Sequence, residues 1–323
     1  MINYDEILKL YKNEDLKAHG LTRKEVREIM ENLSFQENDL FRFTFASGDE
    51  KSKKILRTFA SLITKRKVVD TLIKNSEPVK QGYHQKGSRL DVLATVLDEN
   101  GTQSVLNLEI QNYGTTLQNS LRAQGYTAKL INDQIMQGEG YEFFMTYQVT
   151  ICNRLDRFKE IEKFYHEHRY MDIETHKLMP DERSAIIFIE LDKLSQLENK
   201  PIEQWSEMEK MGYILKYGNK KEKYGIIKTL EKTMEVAELM KEKREDYFKN
   251  TVEALEAMRT YYDQKQEILE KGYIFESGVE EGTQGEKLRT AKVMLEDGLS
   301  DELIIKCTNL SQEELHQLKQ NNR

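Results

Sequence analysis

Hydrophobic positions change period several times along the chain, and each change marks an element. Over residues 5 to 35 they recur at helical spacing, with Thr22 placed as an N-cap ahead of Val26, Ile29, Met30 and Leu33, so two short amphipathic helices are predicted. From Asp49 a longer helix is signalled by Ile55, Leu56, Phe59, Leu62 and Ile63, with Lys51, Lys53, Lys54 and Arg57 on its other faces. The period then drops to two. Leu90, Val92, Ala94 and Val96, then Leu106, Leu108 and Ile110, flank Asp98-Glu99-Asn100-Gly101, the pattern of a β-hairpin. Leu117, Leu121, Gln124, Ala128, Ile131 and Ile135 return to helical spacing, closed by Gly138 and Gly140. Phe143 to Cys152 and Ser184 to Leu191 read as strands, and the order helix, hairpin, helix, strand, strand predicts a mixed α/β (α+β) domain. Beyond Pro201 the pattern is helical, with Met208, Met211, Met234, Met240 and Met258 suited to a helical core. Gly278, Gly282 and Gly285 among glutamates read as a flexible joint, and Ser300 and Ser311-Gln312-Glu313-Glu314 as caps of two tail helices.

Hairpin parity yields one sharp expectation. A three-residue loop, Glu99-Asn100-Gly101 with Gly101 left-handed, sets Asp98 opposite Thr102 and keeps Leu90, Val92, Ala94 and Leu106, Leu108, Ile110 on one face. The same register sets Asp91 opposite Glu109 and Arg89 opposite Gln111, so the other face carries those four as a polar patch. A two-residue turn would slip the register by one and destroy the apolar face. Directly opposed carboxylates, with Cβ atoms about 5 Å apart, repel when ionised. Two environments relieve this: a divalent cation, for which hard oxygen ligands suit Mg²⁺, Mn²⁺ or Ca²⁺, or open solvent with Arg89 as a screen.

Composition narrows the partners. None of the apolar runs in the 323 residues approaches the roughly 20 needed to span a bilayer, so no membrane is expected. The first residues lack the pattern of a secretion signal. Two cysteines, Cys152 and Cys307, form neither a disulfide framework nor a four-ligand zinc site, which points to a reducing cytoplasm. With no G-x-x-x-x-G-K-[ST] loop, no nucleotide cofactor is expected. His166 and His168 are assigned to a surface strand. A net charge of −7 argues against nucleic acid at the scale of the whole chain, yet residues 37 to 135 hold 14 Lys plus Arg against 11 Asp plus Glu. Lys51, Lys53, Lys54, Arg57, Lys65, Arg66 and Lys67 there either neutralise phosphates or form a solvated face.

Asn38-Asp39-Leu40-Phe41-Arg42-Phe43-Thr44-Phe45 with the basic helix after it, Arg89-Leu90-Asp91-Val92-Leu93-Ala94, Asn107-Leu108-Glu109-Ile110-Gln111, Arg122 to Gln134, and Phe188 to Leu194 together resemble the recombination-promoting nuclease (Rpn) and transposase family of PD-(D/E)XK nucleases. The resemblance covers about residues 37 to 315. It implies a restriction-endonuclease-like α/β core with a mostly helical C-terminal region. The expected division is an N-terminal helical extension (1–36), a nuclease-like domain (37–195), a helical region (196–275) and a joint with a helix-turn-helix-like tail (276–323).

In this resemblance Asp91, Glu109 and the Ile110 carbonyl hold a divalent metal, Mg²⁺ with Mn²⁺ or Ca²⁺ as alternatives, and the activity implied is hydrolysis of DNA linked to recombination or mobile elements. Asp39 and Glu50 are candidates for a further acidic position, and Lys54, Arg89, Gln124 and Tyr126 for support or DNA contact, Tyr126 alternatively being a partly buried helix aromatic. The departure is Gln111, which stands where the family pattern has Lys. Its amide can orient water but supplies no positive charge. The runner-up is therefore a catalytically inactive DNA- or protein-binding module of the same fold. The tail, with six Lys plus Arg and seven Asp plus Glu over 286–323, fits DNA reading or self-association.

Overall fold

The computed structural model describes residues 2–74, 90–111, 116–135, 141–153, 155 and 162–263, with isolated positions between 287 and 315. Close contacts divide the chain into Met1–Ala257 and Met258–Arg323, and every element named below lies in the first unit. It is a mixed α/β fold.

Three short helices open the chain, α1 (Tyr4–Leu8), α2 (Asn13–Ala18) and α3 (Arg23–Asn32), where two were expected. The extra break falls around Leu8 to Lys12, where α1 ends after five residues. Thr22 caps α3 in a full capping box with Glu25. Two helices follow, α4 (Asn38–Ala46) and α5 (Glu50–Thr64). Asp49 starts α5 by accepting from the Ser52 N–H at 2.9 Å, and Ile55, Leu56, Phe59 and Ile63 form its buried face.

The described strands form one sheet: β1 (Val68–Ile73), β2 (Val92–Asp98), β3 (Gln103–Gln111), β4 (Met145–Cys152), β5 (Tyr165–His168) and β6 (Ser184–Glu190), in spatial order β1-β2-β3-β4-β6-β5. β3, β4 and β6 run parallel to one another, and the remaining pairs are antiparallel. β1 was not expected. Its burial pattern lacks clean alternation, and an irregularity interrupts its pairing with β2 between Val68 and Asp70.

The hairpin register is the one parity requires. Val92 pairs with Leu108 and Leu97 with Gln103, around a loop whose Gly101 has φ +78°. Leu90 departs from its expected row. The strand begins only at Val92, and Leu90 packs instead with Leu93, Val105 and Leu130.

Helix α6 (Thr116–Asn132) crosses β4 and β6. Its buried face is Asn119, Ala123, Thr127 and Leu130, not the expected row through Leu121, Gln124 and Ala128, which is exposed. Ala123 packs against Cys152, Leu155 and Phe188, so small residues bring the helix close to the sheet. Further described helices of the unit include α7 (Glu207–Tyr217), α8 (Tyr224–Thr233) and α9 (Glu235–Lys249), with Met211, Met234 and Met240 buried as expected.

The N-terminal helices pack within this unit: the Tyr11 hydroxyl donates to the Phe248 carbonyl at 2.6 Å and Arg244 of α9 donates to the Met30 carbonyl at 2.8 Å. The expected joint and both tail caps lie outside the described residues. No helix among the described residues is long and apolar enough to cross a membrane.

The assignment of His166 to a surface strand is corrected. His166 lies on β5, but its ring is buried and its Nε2 meets Glu190 Oε1 at 2.8 Å, because β5 is folded onto β6. Glu190, fully buried, also accepts from Lys193 Nζ at 2.6 Å and from the Leu155 N–H at 2.8 Å. A buried carboxylate with these donors is costly to remove, because Lys193 would keep its charge in a dry site. Glu190→Ala is therefore expected to destabilise the fold by about 3–5 kcal/mol and to lower Tm by roughly ten degrees. A thermal melt within two degrees of wild type would show that water replaces the carboxylate.

Candidate active site

β3 lies between antiparallel β2 and parallel β4; β4 pairs with its carboxyl end as far as Gln111, whereas β2 pairs only as far as Leu108. Asp91 precedes the first paired residue of β2 and sits across from Glu109. Two side-chain to backbone bonds lock them together: the Asp91 N–H donates to Glu109 Oε1 at 3.1 Å, and the Ile110 N–H donates to Asp91 Oδ2 at 2.9 Å. In a strand, the N–H and C=O of one residue face the same neighbour, so the Ile110 carbonyl also turns toward Asp91.

Glu109 is only 1% exposed. Open solvent therefore does not relieve its charge. Burial, and then the nearby Asp91, push its carboxyl up to about 7, while the Asp91 N–H, Arg122 and Asn107 pull the other way. Asn107, fully buried two residues earlier, donates through Nδ2 to Glu109 Oε1 at 3.3 Å and to Gln148 Oε1 at 2.7 Å. It holds Glu109 from within the same strand while anchored on β4 through Gln148.

Arg122 reaches the site from α6. Its guanidinium donates to Glu109 Oε2 and to Gln111 Oε1, both at 3.4 Å, and lies over the Tyr126 ring at 5.2 Å. Nearly half of the Arg122 side chain is exposed, so this cation faces both the acids and solvent. Tyr126 is half-buried on the Leu93, Val105 and Leu130 cluster, and its hydroxyl is pushed up by burial and then by Glu109. Neither Asn107 nor Arg122 was singled out from the sequence. Asn107 could have been found as a polar residue two positions before Glu109 on the same face of β3, whereas the spacing of Arg122 on its helix gave no sign of its partner.

The other candidates are placed elsewhere. Glu50 pairs with Lys53 at 2.9 Å on the surface of α5, and Lys54 pairs with Glu235 of α9. The charge of Asp39 acts on Tyr247 of α9. Gln124 is exposed and turns back to Ser120. Arg89 lies outside the described residues. The basic run is largely consumed by ion pairs: Lys51 with Glu242 and Asp246, Lys65 with Glu167, Arg66 with Asp98, and Lys67 with Glu99.

Among the described residues no group of three or more His, Cys, Asp or Glu could hold a metal. The Asp91–Glu109 pair with the Ile110 carbonyl nevertheless fits Mg²⁺, which is commonly held by one or two carboxylates and completes its shell with water and substrate phosphate. The buried Glu109, repelled by the Asp91 carboxylate beside it, is the structural observation in favour of that fit.

A family model described as PD-(D/E)XK nuclease family transposase matches residues 37–271, and one described as the C-terminal HTH domain of the Rpn/YhgA-like nuclease family matches residues 284–320. The chain belongs to the Rpn-type PD-(D/E)XK nuclease family transposases. Neither a curated protein nor a solved structure shows significant similarity to it. In this Rpn-family chain the first match spans the sheet, α4 to α9 and the Asp91–Glu109 site. The second covers the tail expected to form a helix-turn-helix.

Proposed function

We propose that the chain is a divalent-metal-dependent DNA endonuclease that hydrolyses phosphodiester bonds at the Asp91–Glu109 centre. The observation that carries this reading is the pair itself: two acids cross-linked through backbone N–H groups, one buried, at the carboxyl end of a central strand. Asp91, Glu109 and the Ile110 carbonyl would hold the cation, Mg²⁺ first, with Mn²⁺ or Ca²⁺ as substitutes. When bound, such an ion polarises the scissile phosphate and lowers the pKa of water.

The chain's own groups do the rest. Gln111 orients the attacking water through its amide, Asn107 holds Glu109 in place, and the exposed part of Arg122 receives a non-bridging phosphate oxygen. Arg122 thereby returns the positive charge that Gln111 lacks. The helix-turn-helix tail provides DNA contact.

The test is plasmid nicking by the full chain with Mg²⁺, Mn²⁺ or Ca²⁺. Wild type is expected to relax or linearise the plasmid and Asp91→Ala to leave it supercoiled. Equal cleavage by both would trace the activity to a contaminant. DNA binding by wild type without cleavage under any of the three metals would establish the inactive binding module, a reading favoured by the Arg122 guanidinium, which already lies against Glu109.

Arg122 has its own signature. Arg122→Ala is expected to reduce cleavage by roughly 10²–10³-fold, the scale of losing one charged transition-state donor. Arg122→Lys should recover part of that loss, because it restores charge but not the fork. Unchanged rates in Arg122→Ala, measured on the same plasmid, would leave the guanidinium as a helix-to-sheet tie alone.

A further inference from the structure

A cavity of about 420 Å³ opens between the N-terminal helices, α7, α8 and α9, on residues that no part of the nuclease reading uses. Arg244 of α9 lies in its wall and is 1% exposed. The guanidinium donates from Nη2 to the Met30 carbonyl at 2.8 Å, has the Tyr4 hydroxyl as a further hydrogen-bond partner, and rests on the rings of Phe35 and Phe248, each 5.7 Å away. Its Nε and Nη1 are buried without an acceptor. Tyr4, whose charge-capable hydroxyl neighbours it, is a neutral phenol at ordinary pH, and burial raises it further.

The acids in the wall are committed elsewhere. Asp5 binds Arg27, and Glu31 takes both Arg27 and Lys221. Glu231 faces Lys241 and is pushed up by burial. Lys220, also in the wall, enters no ion pair among the described residues. Asn219, also in the wall, donates to the Asn32 carbonyl at 2.7 Å, and its Oδ1 is buried without a donor.

A buried guanidinium without a counter-charge is among the costliest arrangements a fold can hold, and such groups are normally paired. Here the cation, an unpaired amide oxygen and a roomy space with Ile214, Ile227 and Phe35 in its wall occur together. We infer that this cavity binds a small organic oxyanion, a carboxylate or phosphate monoester, whose charge pairs with Arg244 and whose body carries a hydroxyl or amino donor for Asn219 on an apolar or aromatic frame.

The test uses the full chain and two readouts, thermal shift and calorimetric titration, with 4-hydroxyphenylacetate and phenyl phosphate as probes. Inorganic phosphate tests the anion alone, and 4-hydroxybenzyl alcohol is the neutral counterpart. At least one aromatic anion should raise Tm in a saturable way while the alcohol does not. Arg244→Met should weaken that probe by at least about tenfold, the scale of hydrogen bonds to a charged group. It should also melt no lower than wild type without probe, since it removes an uncompensated charge and keeps the volume. Should Arg244→Met not fold, Lys220→Glu, a partly exposed change, is expected to weaken the probe by a similar factor. No response to either aromatic anion at ten millimolar, or an equal response to the alcohol, overturns the inference. Displacement of a bound probe by a short DNA duplex would assign the cavity to backbone phosphate and overturn it as well.

Discussion

Glu109→Gln is expected to abolish plasmid cleavage, a loss on the order of 10³-fold or more, and to leave the fold intact. The substitution keeps the size of the side chain and an acceptor for the Asp91 N–H and Asn107, but it removes the charge from a nearly fully buried site. Stability supplies an independent readout. Burial and Asp91 raise the Glu109 carboxyl from 4.5 to about 7, so the folded state favours the protonated acid. The sign follows: the acid costs nothing below 4.5, and ionising it in the folded state costs progressively more as pH climbs toward 7. In chelator, wild type should therefore lose stability relative to Glu109→Gln between about pH 4.5 and 7, and the gap should then stay level. Adding Mg²⁺ at pH 8 should raise the wild-type Tm and leave Glu109→Gln unmoved, because a ligand stabilises only the state that binds it. A variant that still cuts, or that responds to Mg²⁺ as wild type does, would remove Glu109 from the metal-binding role.

That site was legible in part because its geometry is local. The alternation of Val92 to Val96 and Leu106 to Ile110, with a glycine able to adopt positive φ at 101, allows one register, and the register faces Asp91 with Glu109. The Asp49 cap and the apolar stripe of α5 are local in the same sense. What failed was whatever another element decides. The row through Leu121 and Gln124 has good helical spacing, yet α6 turns Ala123 and Thr127 to the sheet because small side chains permit closer approach to Cys152 and Phe188. Arg122 becomes a site residue only because that rotation aims it at Glu109. Lys51 and Lys54 read as either a phosphate-binding or a solvated face until α9 arrives with Glu242, Asp246 and Glu235. His166 reads as surface until β5 is laid against β6 and meets Glu190.

A stability effect as large as that of Glu190→Ala is expected where α9 meets the start of α5. Lys243 is 1% exposed, donates to Asp49 Oδ2 at 2.5 Å and to Ser47 Oγ at 2.7 Å, and sits over the Phe43 ring at 3.8 Å. Asp49 has two tasks, holding that ammonium and capping α5. Asp49→Ala removes both and leaves Lys243 buried without its counter-ion, an expected cost of about 3–5 kcal/mol. Lys243→Met should cost far less, about 1 kcal/mol, since the charge leaves along with its partner's obligation and the cap remains. The two substitutions break the same ion pair, so unequal effects separate the burial of an orphaned charge from the loss of a contact. The acid side gives the sign. Partial burial raises the Asp49 carboxyl, but Lys243, the Ser52 N–H and Ser47 outweigh it and hold the group at about 2 rather than 3.8. A depressed carboxyl contributes stability that is present above 3.8 and lost as pH falls through about 2. Nearly half of the Asp49 side chain is exposed, so solvent screening reduces the share carried by the carboxylate itself. Urea unfolding of wild type and Asp49→Ala should accordingly show curves far apart at pH 7 that approach each other between pH 4 and 2. Equal destabilisation by Asp49→Ala and Lys243→Met at pH 7 would mean that lost contacts, rather than an unpaired buried cation, set the stability of this junction.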